Sequence, residues 1–189
     1  MKQHILPALK LTFISLVIFC GGYTLLIWGI AQFVPGQGLG ETISANGKKI
    51  GYLLEGQNFN KAKYFWGRPS AVGYNAAGSG GSNKGPSNPD YLKDLQGRID
   101  DFLRQNPDIR KDALPSDLVT ASGSGLDPDI SLQAAFVQIP RIARIRNIGL
   151  DRLRALVEAH RKTPLLGLFG TERVNVLELN LDLDQSTKP

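Results

Sequence analysis

The hydrophobic positions of this chain are continuous near one end and spaced along the rest. From Leu11 to Val34 the sequence reads LTFISLVIFCGGYTLLIWGIAQFV, without one Asp, Glu, Lys, Arg or His. A helix of that length rises about 36 Å, enough to cross a hydrocarbon core of about 30 Å with some tilt. Backbone groups in lipid must pair internally, so a helix is the economical way for a single segment to cross. The run is longer than the apolar region of a secretory signal, and AQFVPGQGLG follows it with no small-x-small cleavage pattern. An uncleaved anchor over 11–34 is therefore expected. Lys2 and Lys10 precede the span, and no Lys or Arg follows until Lys48. The positive-inside rule places residues 1–10 in the cytoplasm and the bulk of the chain outside. In a bacterium that is a single pass through the inner (plasma) membrane, with a periplasmic or equivalent domain.

Beyond the span the pattern predicts a connector over 35–47 and a folded domain over 48–189. KKIGYLLEGQNF reads as a short strand closed by a glycine turn, and KAKYFWGRPS runs three aromatics into a Gly-Arg-Pro turn. Asn88 and Pro89 suit the cap and first position of a helix. Leu92, Leu95, Ile99, Phe102 and Leu103 give it an apolar face, and Pro107 stops it. SDLVTASGSGLDPDIS reads as a short strand leaving into a glycine-rich loop. Ser131 then caps a second helix, which Pro140 breaks or kinks before Arg146. A third helix is predicted from Asp151 to Arg161, with Leu153, Leu156 and Val157 inward. In the closing RVNVLELNLDLD, apolar and polar residues alternate but the phase slips between Val176 and Leu177. The slip reads as a bulge in a strand near the centre of a sheet. The sum is a small α+β extracytoplasmic domain with a mixed sheet.

Charge changes this picture little. The 189 residues carry 22 Lys and Arg against 17 Asp and Glu, a net charge of +5, and two of the cations lie before the span. The one basic concentration, PRIARIRNIGLDRLRALVEAHRK, reads as the solvated face of helices first and as a docking surface second, and the modest net charge does not point to nucleic acid. The single cysteine, Cys20, lies within the span. The exported domain thus has no disulfide or thiolate metal site and must hold together by its core.

Within the span Ser15, Gly22 and Gly29 recur every seventh residue, with Gly21 beside the middle one. Small residues on one helix face let another helix approach closely. GQGLG lacks the spacing of a dinucleotide fingerprint. The loop YNAAGSGGSNKGPSNP, Tyr74 to Pro89, lacks the G-x-x-x-x-G-K-[ST] order of a phosphate loop. Asn75, Asn83 and Asn88 close turns onto their own backbone and Pro86 and Pro89 fix φ, which favours an ordered loop over a linker. Ser122, Ser124 and Asp127 invite a hydrolase reading, but the nucleophile pattern G-x-S-x-G is absent. His4 lies across the membrane and His160 falls on a predicted helix, so no histidine base is placed for them. Asp127 and Asp129 do not belong to a calcium loop. Trp66 and Arg68 are residue types that dominate interfaces, although a Trp beside a turn is commonly core.

The segments YFWGRPSAVGYNAAGSGGSNKGPSNP, PSDLVTASGSGLDPDIS, VQIPRIARIRN and RVNVLELNLDLD occur in this order. Together they resemble the C-subunit family of bacterial Kdp-type potassium-transporting ATPases, over nearly the whole chain. The resemblance implies a non-catalytic accessory subunit with no cofactor of its own, ATP, Mg and K+ belonging to the complex. The implied partners are a channel-like potassium-binding subunit, a P-type ATPase subunit and a small single-span peptide. The family is described as an assembly factor or catalytic chaperone that raises the pump's apparent affinity for ATP. An exported domain would exert that effect through its partners. Direct participation in ATP binding would need the opposite topology. An anchored exported hydrolase using Ser122 or Ser124, or a free-standing binding module, are the other classes. On the subunit reading, the expected partner contacts are Trp66, Arg68, Asn75, Ser79, Ser82, Asn83 and Asn88, with Ser122, Ser124 and Asp127 from the serine loop. Ser15, Gly21, Gly22 and Gly29 are the expected packing positions in the membrane.

Overall fold

A computed structural model of the chain describes residues 2–45 and 47–186. The amino-terminal residue of the expected cytoplasmic segment, Asn46 of the expected connector, and the last three residues of the expected 48–189 domain lie outside the described residues. The chain forms two units, Met1–Thr42 and Ile43–Pro189.

The first unit is dominated by helix α1, which runs through Lys2–Leu16, a π-helical stretch over Val17–Gly22, and Tyr23–Ala31. Its Gln3–Ala31 portion is long and apolar enough to cross a membrane. The helix begins before the apolar run at Leu11, and Pro7 sits within its first turns. The π stretch matters for the small-residue stripe. One residue inserted into the α-helical repeat turns everything beyond it by about 100°. Gly22 and Gly29 keep a common face, but Ser15 no longer shares it. A Cβ on Gly21 or Gly29 would meet nothing within 4 Å, so those positions are open to close approach.

Strand β1 (Thr42–Ala45) pairs with β2 (Lys48–Tyr52), so a strand lies where a connector was expected. Helix α2 (Pro89–Gln105) starts as predicted, the Asn88 side chain accepting from the Tyr91 N–H at 3.0 Å. Strand β3 (Asp129–Ser131) leads into α3 (Leu132–Phe136), capped by the Ser131 hydroxyl, which accepts from Ala134 N–H at 3.1 Å. The predicted strand at SDLV is a 3-10 turn over Ser116–Leu118. Pro140 lies in the first turn of α4 (Ile139–Arg146), where its missing N–H costs nothing, so the break falls just before it. Helix α5 (Leu150–Ala159), β4 (Arg161–Lys162), β5 (Arg173–Asn175) and α6 (Val176–Ser186) complete the chain.

The second sheet has the order β3–β5–β4, and both its pairings are antiparallel, not mixed, with Val174 opposite Ile130 and Arg161. Strand β5 is central as expected, but it ends after Asn175. The phase slip at Val176–Leu177 marks a strand giving way to a helix, not a bulge. Val176, Leu179, Asn180 and Leu183 are buried at helical spacing. Asn175 caps the helix, its Oδ1 accepting from the N–H groups of Leu177 and Glu178 at 3.0 and 3.1 Å.

The core gathers Phe65, Ile130, Ile142, Leu153, Val157, Val174, Leu179 and Leu183. Phe65 is threaded into it by side-chain amides that act as substitute peptide groups. Asn180 accepts from Phe65 N–H and donates to its carbonyl, both at 2.9 Å. Gln138 does the same for Trp66, at 2.8 and 3.2 Å. The basic cluster is not simply a solvated face. Arg141 is 1% exposed, and Arg146 pairs with Asp184 at 2.6 Å.

Candidate functional site

The two loops that carry most of the expected contact residues lie against each other. Gly80 N–H and the Ser79 hydroxyl both donate to the carbonyl of Ser124, at 2.9 and 2.8 Å. Ser122 N–H donates to the Pro69 carbonyl at 3.0 Å, and the Ser70 hydroxyl donates to Gly125 at 2.7 Å. The same Ser70 oxygen accepts from the N–H groups of Val72 and Tyr74, a serine turn that folds the chain back towards the serine loop. Gly125 sits at φ +70, and an added Cβ would lie 2.6 Å from a Val72 methyl and 2.8 Å from the Gly80 carbonyl. Only a glycine lets the loops close to this distance.

Arg68 spans the base of the platform, its Nη1 3.0 Å from Asp127 Oδ2. Asp127 Oδ1 accepts from Asp129 N–H at 3.1 Å. Tyr74, in the left-handed region at φ 60, donates its hydroxyl to the Arg68 carbonyl. Burial, with the Asp127 carboxylate adding to it and Arg68 opposing, pushes the Tyr74 phenol up to about 12. The folded chain therefore keeps a proton that the unfolded chain loses above pH 10. Stability from this group is complete below pH 10 and falls as pH rises towards 12. An alkaline absorbance titration should contain one tyrosine step near pH 12 that Tyr74→Phe removes; a profile unchanged by the substitution would contradict the buried placement.

The structure thus joins Arg68, Ser79, Ser122, Ser124 and Asp127. The other expected contact residues sit elsewhere along the same loop. Asn75 closes a short turn, accepting from Ala77 N–H at 3.0 Å. Ser82 and Asn83 are exposed, with Asn83 left-handed at φ 53. Lys84 ties the loop to α2 through Asp94 at 3.0 Å and holds that carboxyl below its usual range. Asn88 ends the loop as a cap. Trp66 stands apart, edge-on to Phe102 and packed against the core, with its indole N–H donating to the Lys61 carbonyl at 3.0 Å. Ser70, Tyr74 and Gly125 escaped the sequence reading. The only local signal was Ser70 placed two residues before Val72 and four before Tyr74, ahead of a glycine turn.

The serines are committed to turn formation. Ser122 is 3% exposed and its Oγ accepts from Gly125 N–H at 2.9 Å, while Ser124 Oγ accepts from Leu126 N–H at 3.0 Å. His160 is engaged with Asp182 at 2.9 Å. Beside the platform a cleft of about 430 Å³ is lined by Asp117, Asp127, Asp129 and Glu172 together with Arg68 and Arg173. Most of its carboxylate oxygens are engaged: Asp117 accepts from Ser131 N–H at 2.8 Å and Arg173 lies 2.9 Å from Asp129 Oδ2, while Asp129 Oδ1 is buried without a hydrogen-bond partner. Burial raises the Asp129 carboxyl despite that arginine. Among the described residues no group of three or more His, Cys, Asp or Glu is placed to hold a metal. The arrangement is an ordered pair of loops held together by their own hydrogen bonds.

Known proteins resemble the chain over nearly its whole length. The chain is 55% identical over 183 residues to the potassium-transporting ATPase KdpC subunit of Flavobacterium psychrophilum, covering 97% of this chain and 98% of the relative. The subunits of the same name from Flavobacterium johnsoniae and Bacteroides fragilis are 54% and 46% identical, each over 97% of this chain and 98% and 97% of the relative. Residues 5–185 match the family described as KdpC: K+-transporting ATPase, c chain, and the chain belongs to that family.

Proposed function

We propose that this chain is a non-catalytic accessory subunit of an ATP-driven, high-affinity potassium uptake complex. Helix α1 anchors it in the bacterial inner (plasma) membrane, with Lys2 and Lys10 on the cytoplasmic side and the α+β domain outside. The observation that carries this reading is the interlocked pair of loops. The Ser79 and Ser70 hydroxyls donate to carbonyls of the serine loop, and the Ser122 and Ser124 hydroxyls accept from backbone N–H groups within it, so these groups serve the loops' own structure. What remains exposed is a fixed outer face carrying Ser79, Ser82, Asn83 and Lys84.

On this reading the face docks on a channel-like potassium-binding subunit, while a P-type ATPase subunit and a small single-span peptide complete the complex. ATP, Mg and K+ act in those partners. Assembly is stabilised by the contact, and ATP use is promoted at a distance. Such an effect requires the domain to bind two states of the pump unequally, since equal binding shifts no equilibrium.

A mild-detergent pull-down of the tagged chain from potassium-limited cells tests the reading. The expected eluate contains larger partner subunits and potassium-stimulated ATPase activity. Recovery of the chain alone from several detergents would sink the subunit reading and favour a solitary anchored module.

A further inference from the structure

Trp66 is the one expected contact residue that the two loops leave aside, and it lines a cleft of its own. The cleft, of about 350 Å³, is walled by the rings of Phe59, Trp66 and Phe102. Trp66 is not able to swing across and fill it. Gln138 clamps its backbone, the Lys61 carbonyl accepts its indole N–H at 3.0 Å, and the Arg141 guanidinium stacks 3.9 Å from its ring. Phe102 is fixed in the core at 4% exposure. An apolar side chain entering between these rings therefore meets a wall that is already in place. The volume lies at the small end of the ~300–1,000 Å³ typical of ligand pockets, which suits a side chain or two rather than a large ligand.

The polar groups of the cleft say what else the occupant carries. Its charged residues are Arg68, Arg98 and Asp101. Arg68 is matched by Asp127 and Asp101 by Arg104. Arg98 donates through Nη1 to the Val119 carbonyl at 3.2 Å and makes no ion pair among the described residues. One unmatched guanidinium calls for one anion, and a carboxylate fits its fork. Asn58 and Gln105 are exposed at the rim, and among the described residues their side-chain amides have no hydrogen-bond partner. Each amide offers both an acceptor and donors, the complement of a peptide group. The fold already uses that match, with Asn180 on Phe65 and Gln138 on Trp66. An acyl chain would fill the apolar walls but leave both amides facing it unpaired. An extended peptide meets all three demands at once.

We propose that this cleft binds an extended segment of a partner subunit in which an Asp or Glu stands beside a large apolar residue. The apolar side chain lies against the rings, the carboxylate on Arg98, and the main chain along Asn58 and Gln105. This inference rests on the proposed subunit role, and it gives Trp66 a part in docking that the paired loops do not.

The test replaces Gln105 with a benzophenone-bearing amino acid in the full chain, expressed with its complex and irradiated in cells. The expected adduct is with one partner subunit, and mass spectrometry of the joined peptide should find Asp or Glu beside an apolar residue. Arg98→Glu should cut recovery of partner subunits about tenfold, and changing the crosslinked acidic residue to Lys should restore it. Arg98 also holds the Val119 carbonyl, so the restoration separates a contact from a folding defect. Asn58→Ala with Gln105→Ala removes only exposed side chains, and should lower recovery without moving the unfolding midpoint of the chain. An adduct with phospholipid, with a second copy of this chain or with nothing would overturn the proposal if the unmodified chain still brings down active ATPase. So would a joined peptide without an acidic residue, full recovery with Arg98→Glu, or a charge swap that restores nothing. An unmodified chain that brings down no partner overturns the subunit reading first, and this proposal with it.

Discussion

Arg141→Ala should destabilise the folded domain that follows helix α1 by about 3–5 kcal/mol. Its guanidinium holds together segments distant in sequence. Nε donates to Asn106 Oδ1 at 3.0 Å, and Nη2 to Gln138 Oε1 at 2.7 Å. Nη1 reaches the carbonyls of Ala62 and of Tyr64, the latter at 3.1 Å, and the plane lies 3.9 Å over Trp66. Burial pushes its pKa down to about 10, still far above neutrality, so the charge persists at pH 7. The hydrogen bonds that satisfy it come from neutral oxygens; truncation removes the donor from buried Asn106 Oδ1 and from the Ala62 and Tyr64 carbonyls, while Gln138 Oε1 keeps the Trp66 N–H.

The effect of Arg141 separates into stem and head. Arg141→Met retains an apolar stem and should recover only the packing share of the loss. Arg141→Lys restores a charge but lacks the planar fork and the stacking surface, and should fall between methionine and the wild type. Denaturant midpoints of the full chain in mild detergent would rank the variants. A methionine variant as stable as the wild type would show that the polar network contributes nothing net. Loss of Arg141 should also loosen Ala62–Trp66, the segment leading into Arg68 and the platform.

Most of what was readable in the sequence is local. Asn88-Pro89 and Ser131 announce helix starts because a cap needs only its own neighbours two or three residues on. The anchor is readable because lipid imposes a length and a composition. The final segment misleads because Leu177, Leu179, Leu181 and Leu183 alternate with polar residues as a strand would. The deciding residue is Asn180. A strand would turn it outward with Glu178 and Asp182, whereas the helix turns it into the core, where it clamps Phe65, 115 residues away. Arg141 was unreadable for the same reason: its charge is acceptable inside only because Asn106, Gln138 and two loop carbonyls converge on it. The platform was half legible. Asparagine and proline marked an ordered loop, but nothing local to YNAAGSGGSNKGPSNP names the serine loop as its partner.

The same dependence on distant packing makes Gly125→Ala the sharpest probe of the platform. The methyl must enter a backbone conformation costing an L-residue about 1–2 kcal/mol, and its position is already occupied by Val72 and the Gly80 carbonyl. With overpacking added, the expected loss is about 2–4 kcal/mol. The damage should stay local, because Gly125 lies outside the cluster formed by Phe65, Ile142, Val174 and Leu179. The loops should part, freeing Gly80 and Ser79 from Ser124. Exposed Lys84 should then become more susceptible to trypsin, while the emission of Trp66, packed against the core, changes little. Recovery of potassium-stimulated ATPase with the tagged chain should fall in step with that cleavage. Gly123→Ala is the matched control: it lies on the same loop, is exposed, and its added Cβ would meet nothing within 4 Å. It should resist trypsin like the wild type. If Gly125→Ala opens the loop yet the complex assembles at full activity, the closed platform is not the docking face. If Gly123→Ala alone prevents assembly without opening the loop, a partner contacts the tip of the serine loop closely enough to exclude one methyl group.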